Sequence, residues 1–168
     1  DTTTGTTKNA SGLYLGSRGG TTSFYNGSID EVRIYNRAIS QTEITEIYNA
    51  TKPSDHTRIS DVPKIGLVGA WDFNECDSCT TAADTSIYNR NGTTADAFGA
   101  TPVNLRSSDG LLGNSVLFDG SNDTVTVPDN DAWDFTGDFT ISLWAKFNTV
   151  NVAGDWWQTA FIGHVDGP

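Results

Sequence analysis

Methionine is absent from this chain, and cysteine (two) and proline (five) are scarce among its 168 residues. Basic residues are also few, with ten Lys and Arg against twenty-one Asp and Glu. The net charge of −11 argues against a phosphate-backbone binder, which needs clustered cations. An acidic surface is compatible with calcium, with a salty or extracellular setting, or with no specific ligand. No apolar run approaches the roughly 18 residues of a membrane-spanning helix, so no span is expected. No initiating Met and no signal peptide are present, and the expectation is a mature product or a fragment. What is abundant is Gly, Thr, Ser, Asn and Asp, with 11% aromatics. That mixture suits short strands joined by turns.

The two cysteines stand close together in Cys76-Asp-Ser-Cys79. A redox CxxC opens a helix in a βαβ setting, whereas this one follows a strand pattern and precedes a turn-rich TTAADTS. A small loop-closing disulfide in an exported protein is expected, with free thiols as the alternative. A zinc site lacks a second ligand pair. Glycosylation sequons occur at Asn9, Asn26, Asn49, Asn91 and Asn122. They permit modification without showing it.

Along the chain, residues 1–10 read as a polar loop, Leu13, Tyr14 and Leu15 as a short strand, and residues 18–22 as a Gly-rich turn. Residues 28–36 alternate with period two, which predicts Asp30, Val32 and Ile34 on one face and Ile29, Glu31, Arg33 and Tyr35 on the other. A helix follows, announced by Ser40 and Glu43 in a capping-box pattern, with Ile44, Ile47 and Tyr48 as its packing stripe. Residues 51–64, with two prolines and mixed charge, read as a linker. From Ile65 onward the pattern is all strand. Val116 with Phe118 and Val125 with Val127 mark two strands. Phe139, Ile141, Leu143, Ala145 and Phe147 form the strongest alternation, with Trp144 opposite, and residues 160–163 make a last short strand. The expected fold is all-β, an antiparallel sandwich with one short helix.

Several segments together resemble laminin-G-like domains of the concanavalin A-like lectin/glucanase kind, which implies a jelly-roll sandwich. Residues 28–37 (SIDEVRIYNR) are similar to that family's closing strand, and the helix after it fits too. Residues 66–75 (GLVGAWDFNE) look like its opening strand, 84–93 (DTSIYNRNGT) like its Asp/Asn loop, 113–127 (GNSVLFDGSNDTVTV) like its hairpin, and 138–147 like a central strand. The order is permuted, and a stretch with a Trp-His-His-Val strand has no counterpart here. The implied organisation is a closing part at 1–50, a linker at 51–64 and an opening part at 65–168. Residues 28–37 would then close a strand set other than the one that follows them, or not that one alone. Strands would be supplied by a tandem domain or by a neighbouring copy.

The resemblance also implies a structural calcium held by Asp30 with backbone oxygens around Phe73, Asn74 and Gly120, since hard oxygen ligands suit that ion. The alternative for Asp30 is an acid that reaches solvent or caps a turn. Turn chemistry accounts for Asp119, Asn122 and Asp123, and for Asp129, Asn130 and Asp131. A glycosidase on this fold would show alternating carboxylates on one strand, and Asp30-Glu31 are adjacent instead. No catalytic triad, phosphate loop or HExxH occurs. Trp144 on its strand, and the pair Trp156-Trp157, are candidate sugar platforms; the favoured reading of Trp144 is second-layer core covered by a helix or loop, and the pair could equally anchor a protein interface.

The function expected is a non-enzymatic, secreted or cell-surface module that contacts glycans, matrix or surface proteins, within an array of similar domains or identical chains. A filament subunit completed by strand sharing and a carbohydrate-binding module appended to a glycoside hydrolase are the alternatives.

Overall fold

A computed structural model describes residues 10–52, 62–75, 79–96, 106–148 and 159–164. Residues 1–9, most of the 51–64 stretch, Cys76, Trp156 and Trp157 lie outside the described residues. The element order is β1 (Leu13–Leu15), β2 (Asn26–Tyr35), α1 (Gln41–Thr51), β3 (Leu67–Trp71), β4 (Thr81–Ala82), β5 (Gly92–Asp96), β6 (Arg106–Gly110), β7 (Gly113–Asp119), β8 (Asp123–Val127), β9 (Thr140–Phe147) and β10 (Ile162–Gly163). A 3₁₀ turn at Asp131–Trp133 is capped by the Asn130 side chain, which accepts from Ala132 N.

All pairings are antiparallel, and the strands form two sheets of a sandwich. One sheet runs β10-β1-β8-β5-β4. The other is organised around β2. Along one edge β2 meets β9, from Gly27↔Phe147 to Tyr35↔Thr140. Along its other edge it meets β7 over Asn26–Ile29 and then β3 over Val32–Tyr35; β6 extends the sheet beyond β7. The segment expected to close another strand set, or not the following one alone, pairs here with three strands that follow it in its own chain. Likewise β1 sits between β8 and β10. The short strands β4, β5 and β6 carry too few apolar residues to show in the sequence pattern.

Between the sheets, Leu15, Ile29, Val32, Ile34, Trp71, Phe73, Val116, Phe118, Val125, Val127 and Trp133 form one core, each at most 1% exposed. Each such side chain contributes about 1.5–3 kcal/mol by leaving water. The alternations at Val116/Phe118 and Val125/Val127 thus face inward as expected. Asp84 pins the loop after β4 to this core: its carboxylate accepts from Ala70 N (2.9 Å), Ser86 N (2.9 Å) and Arg90 N (2.8 Å). Arg90 in turn donates to Val68 O and stacks on Tyr88.

Two expectations about faces need correction. First, β2 does not alternate cleanly. Between Asp30↔Trp144 and Arg33↔Ser142 it carries a bulge, with Glu31 at φ +55°. The extra residue puts Ile29 and Val32, three apart, into the same core, and Asp30 is turned away from Val32 and Ile34 to the outer face, with Ser28. Second, α1 does begin with the Ser40–Glu43 capping box, but its buried residues are Ile47, Ala50 and Thr51. Ile47 and Ala50 pack with Tyr35 and Val62 on the outer face of the β2 sheet, while Ile44 and Tyr48 stay about half exposed.

Candidate functional site

The β2 bulge builds a polar hollow on the outer face. Where β2 changes partner from β7 to β3, the Asp30 side chain faces the turn between β6 and β7. Its Oδ2 accepts from Leu111 N (2.7 Å) and Leu112 N (3.3 Å), and its Oδ1 from Glu31 N (2.8 Å). Three amides thus surround a carboxylate that is 3% exposed. Burial pushes the Asp30 carboxyl up to about 6, and the Leu112 amide is the largest opposing influence.

Next along the bulge, Glu31 is fully buried and pairs with Arg33, whose guanidinium donates to Glu31 Oε2 and, at 3.1 Å, to Glu31 O. Burial raises the Glu31 carboxyl and Arg33 opposes it. Glu31 Oε1 has no hydrogen-bond partner among the described residues.

Across β9, the register partner of Asp30 is Trp144. Together with Ser28, Ser115, Lys146 and the Asp109–Leu111 turn they line a hollow of about 250 Å3. The Ser115 hydroxyl is fully buried and has no hydrogen-bond partner among the described residues. At the rim Lys146 is ion-paired with Asp109, and both side chains are largely exposed. Trp144 separates this hollow from a second one beside α1: its indole N–H donates to Thr51 Oγ1 (2.8 Å), and its ring lies 5.8 Å from Tyr48. The helix therefore covers one side of the indole.

The four residues assigned to calcium are not brought together. Continuing the β2–β3 register from Val32↔Trp71 sets Phe73 beside the bulge, with Asn74 next to it. Gly120, however, lies against Asn26, four residues down β2 from Asp30 and about 14 Å away at about 3.4 Å per residue. Asn74 Oδ1 is engaged by Asn114 N (2.8 Å). Both Asp30 oxygens already hold amides. The set does not fit one ion. Among the described residues no three His, Cys, Asp or Glu side chains cluster as metal ligands either.

The Asp/Asn clusters do turn work, as read: Asp119 Oδ1 accepts from Ser121 N and Asp123 Oδ2 from Asp119 N. Asn26 and Asn91 have side-chain amides in structural bonds, to Asp119 O and from Asp84 N. Cys79 is not free, and its expected partner Cys76 lies outside the described residues, as do Trp156 and Trp157.

Sequence reasoning found Asp30 and Trp144 separately and missed that they share one hollow. Lys146 stands beside Trp144 as the strand pattern indicates, and Ser28 was within reach, because it lies two residues from Asp30 on the same strand. Ser115 and the Asp109–Leu111 turn carried no signal.

Similarity to a known family covers about the first quarter of the chain. Residues 1–45 are similar to the concanavalin A-like lectin/glucanases superfamily. That stretch holds β1, β2 with Asp30, and the start of α1. No curated protein and no solved structure matches the chain.

Proposed function

We propose that this chain is a non-catalytic, concanavalin A-like sandwich module of an extracellular or cell-surface protein, and that it contacts glycans through the hollow between β2, β9 and the β6–β7 turn. The observation that carries the reading is the meeting of an indole wall, Trp144, with the buried and unpartnered Ser115 hydroxyl and with Ser28. A buried hydroxyl without a partner is costly, and Ser115 lies in the lining of this hollow. A ring with an apolar face and polar edges matches an indole beside hydroxyls. The −11 charge favours a neutral sugar over an acidic one.

The carboxylates support a binding role rather than hydrolysis. A glycosidase needs an acid and a second carboxylate presented to the substrate. Asp30 is saturated by three amides, and Asp109 is held by Lys146 at the rim. A loop-closing disulfide between Cys79 and Cys76, which the spacing predicts, would suit an exported protein.

A second reading, assembly with identical chains or neighbouring domains, is favoured by the open edge of β9, which among the described residues pairs with β2 alone. The glycan reading is tested by screening the purified chain on a glycan array, with and without calcium, beside Trp144→Ala. Hits that weaken in the variant are expected. An empty array in both conditions overturns the glycan reading and leaves assembly standing.

A further inference from the structure

β9 is an eight-residue strand with one edge paired to β2. The other edge has no partner among the described residues. Asn148 N–H bonds Asn26 O. Amides alternate in direction along a strand, so the even-numbered residues of β9 turn toward β2 and Ile141, Leu143, Ala145 and Phe147 turn their amides to the open edge. The edge lacks the usual protections, for it contains no proline and its one charged residue, Lys146, is tied to Asp109.

Apolar side chains gather along the same edge. Of the nine exposed large hydrophobic residues among the described residues, five are Ile44, Tyr48, Phe139, Ile141 and Phe147, on α1 or on β9 and its approach. A groove of about 540 Å3 runs between α1 and β9, with Phe161 at its other wall. A strand laid there would set one row of side chains against Tyr48 and Ile44, and the other against Leu143 and Phe161.

We propose that the occupant is β9 of a second copy of this chain, paired antiparallel about a two-fold axis at Leu143. This deepens the assembly reading above and rests on it. The sequence of the strand is self-complementary in that register. Leu143 faces Leu143, Ile141 faces Ala145, and Phe139 faces Phe147, so the half-exposed apolar residues cover one another. On the opposite face Trp144 meets Ser142, and Lys146 meets Thr140. The centre falls on a residue whose amide points outward, which gives Leu143 and its counterpart two reciprocal hydrogen bonds. Charge selects this edge as well. Two chains of −11 repel over most surfaces, whereas β9 holds no carboxylate, so two copies approach here without opposing acids. An isologous contact of this kind closes as a dimer and joins two sheets into one.

The test combines sedimentation across a concentration series with two cysteine variants of the full chain. The wild type should be a dimer in reversible equilibrium. Ala145→Lys places a charge on an exposed residue opposite Ile141 and should raise the dissociation constant at least about tenfold while leaving the melt unchanged. Leu143→Cys should form a covalent dimer on mild oxidation, because directly paired residues lie about 5.5 Å apart, within disulfide range. Ala145→Cys should not, since its counterpart is about 14 Å away. Should Leu143→Cys disturb folding, Ala145→Lys mixed with Ile141→Glu supplies the same register test by restored dimerisation. A wild type that stays monomeric overturns the proposal, whether a foreign strand or another part of the chain covers the edge. A dimer indifferent to Ala145→Lys, or cross-linked equally through Ala145→Cys, places the interface elsewhere and overturns it too. These readouts involve no sugar, so a failed glycan screen does not affect them.

Discussion

Asp30 on β2 and Trp144 on β9 are register partners on the outer face of the sheet, and they line one hollow. The bulge at Asp30–Glu31 makes this pairing possible, because it turns Asp30 out of the core while Ile29 and Val32 stay in. Asp30 in turn ties the β6–β7 turn to β2.

Replacing Asp30 by Ala should therefore leave three amides, of Glu31, Leu111 and Leu112, without their acceptor. Each unsatisfied buried donor costs about 1–3 kcal/mol, and water reaching the turn offsets part of this, so a loss of roughly 3 kcal/mol is expected in urea unfolding. Asp30→Asn keeps one oxygen and should lose less. Equal stability of Asp30→Ala and wild type would remove Asp30 from this role.

At α1, the Ser40 hydroxyl accepts from Glu43 N while the Glu43 carboxylate accepts from Ser40 N. Ser40→Ala should lose about 1 kcal/mol. Arg37, bonded to Glu43, is the main cause that holds the Glu43 carboxyl down at about 2, against an ordinary 4.5. A carboxyl with a depressed folded-state value stabilises the fold above its unfolded value and loses that contribution as pH falls. Thermal melts of wild type and Glu43→Gln should thus differ by a constant amount above about pH 5 and converge between 4.5 and 2. Curves that stay parallel to pH 2 would count against the pairing.

Calcium is a separate question from glycan binding. Gly120 lies away from Asp30, and the Asp30 oxygens hold amides. Chelation should leave the melting temperature unchanged to within about 1 °C, because only a ligand held by the folded state raises stability. A fall of several degrees on adding a chelator would restore calcium to the account.

Much of the fold was legible where burial follows a simple period. Val116 with Phe118, Val125 with Val127, and the capping box at Ser40 all stand as their patterns indicate. The face of Asp30 was not legible, because a single bulged residue with φ +55° at Glu31 reverses the alternation, and Glu carries no local signal for that conformation. The stripe on α1 failed for another reason. Ile44 and Tyr48 have the right spacing, yet the sheet edge beneath them ends at β9, so they overhang a groove. Ser115 was invisible because its importance comes from lacking a partner, which only the packing around it can show.

The most direct test of the account is a nuclear magnetic resonance titration of the isotope-labelled chain with neutral oligosaccharides selected by the array. Saturable shifts are expected at the Trp144 indole N–H and at the Ser28, Leu111 and Ser115 amides, reduced in Ser115→Ala. Binding that leaves those signals in place, or shifts confined to Trp156 and Trp157, would contradict it.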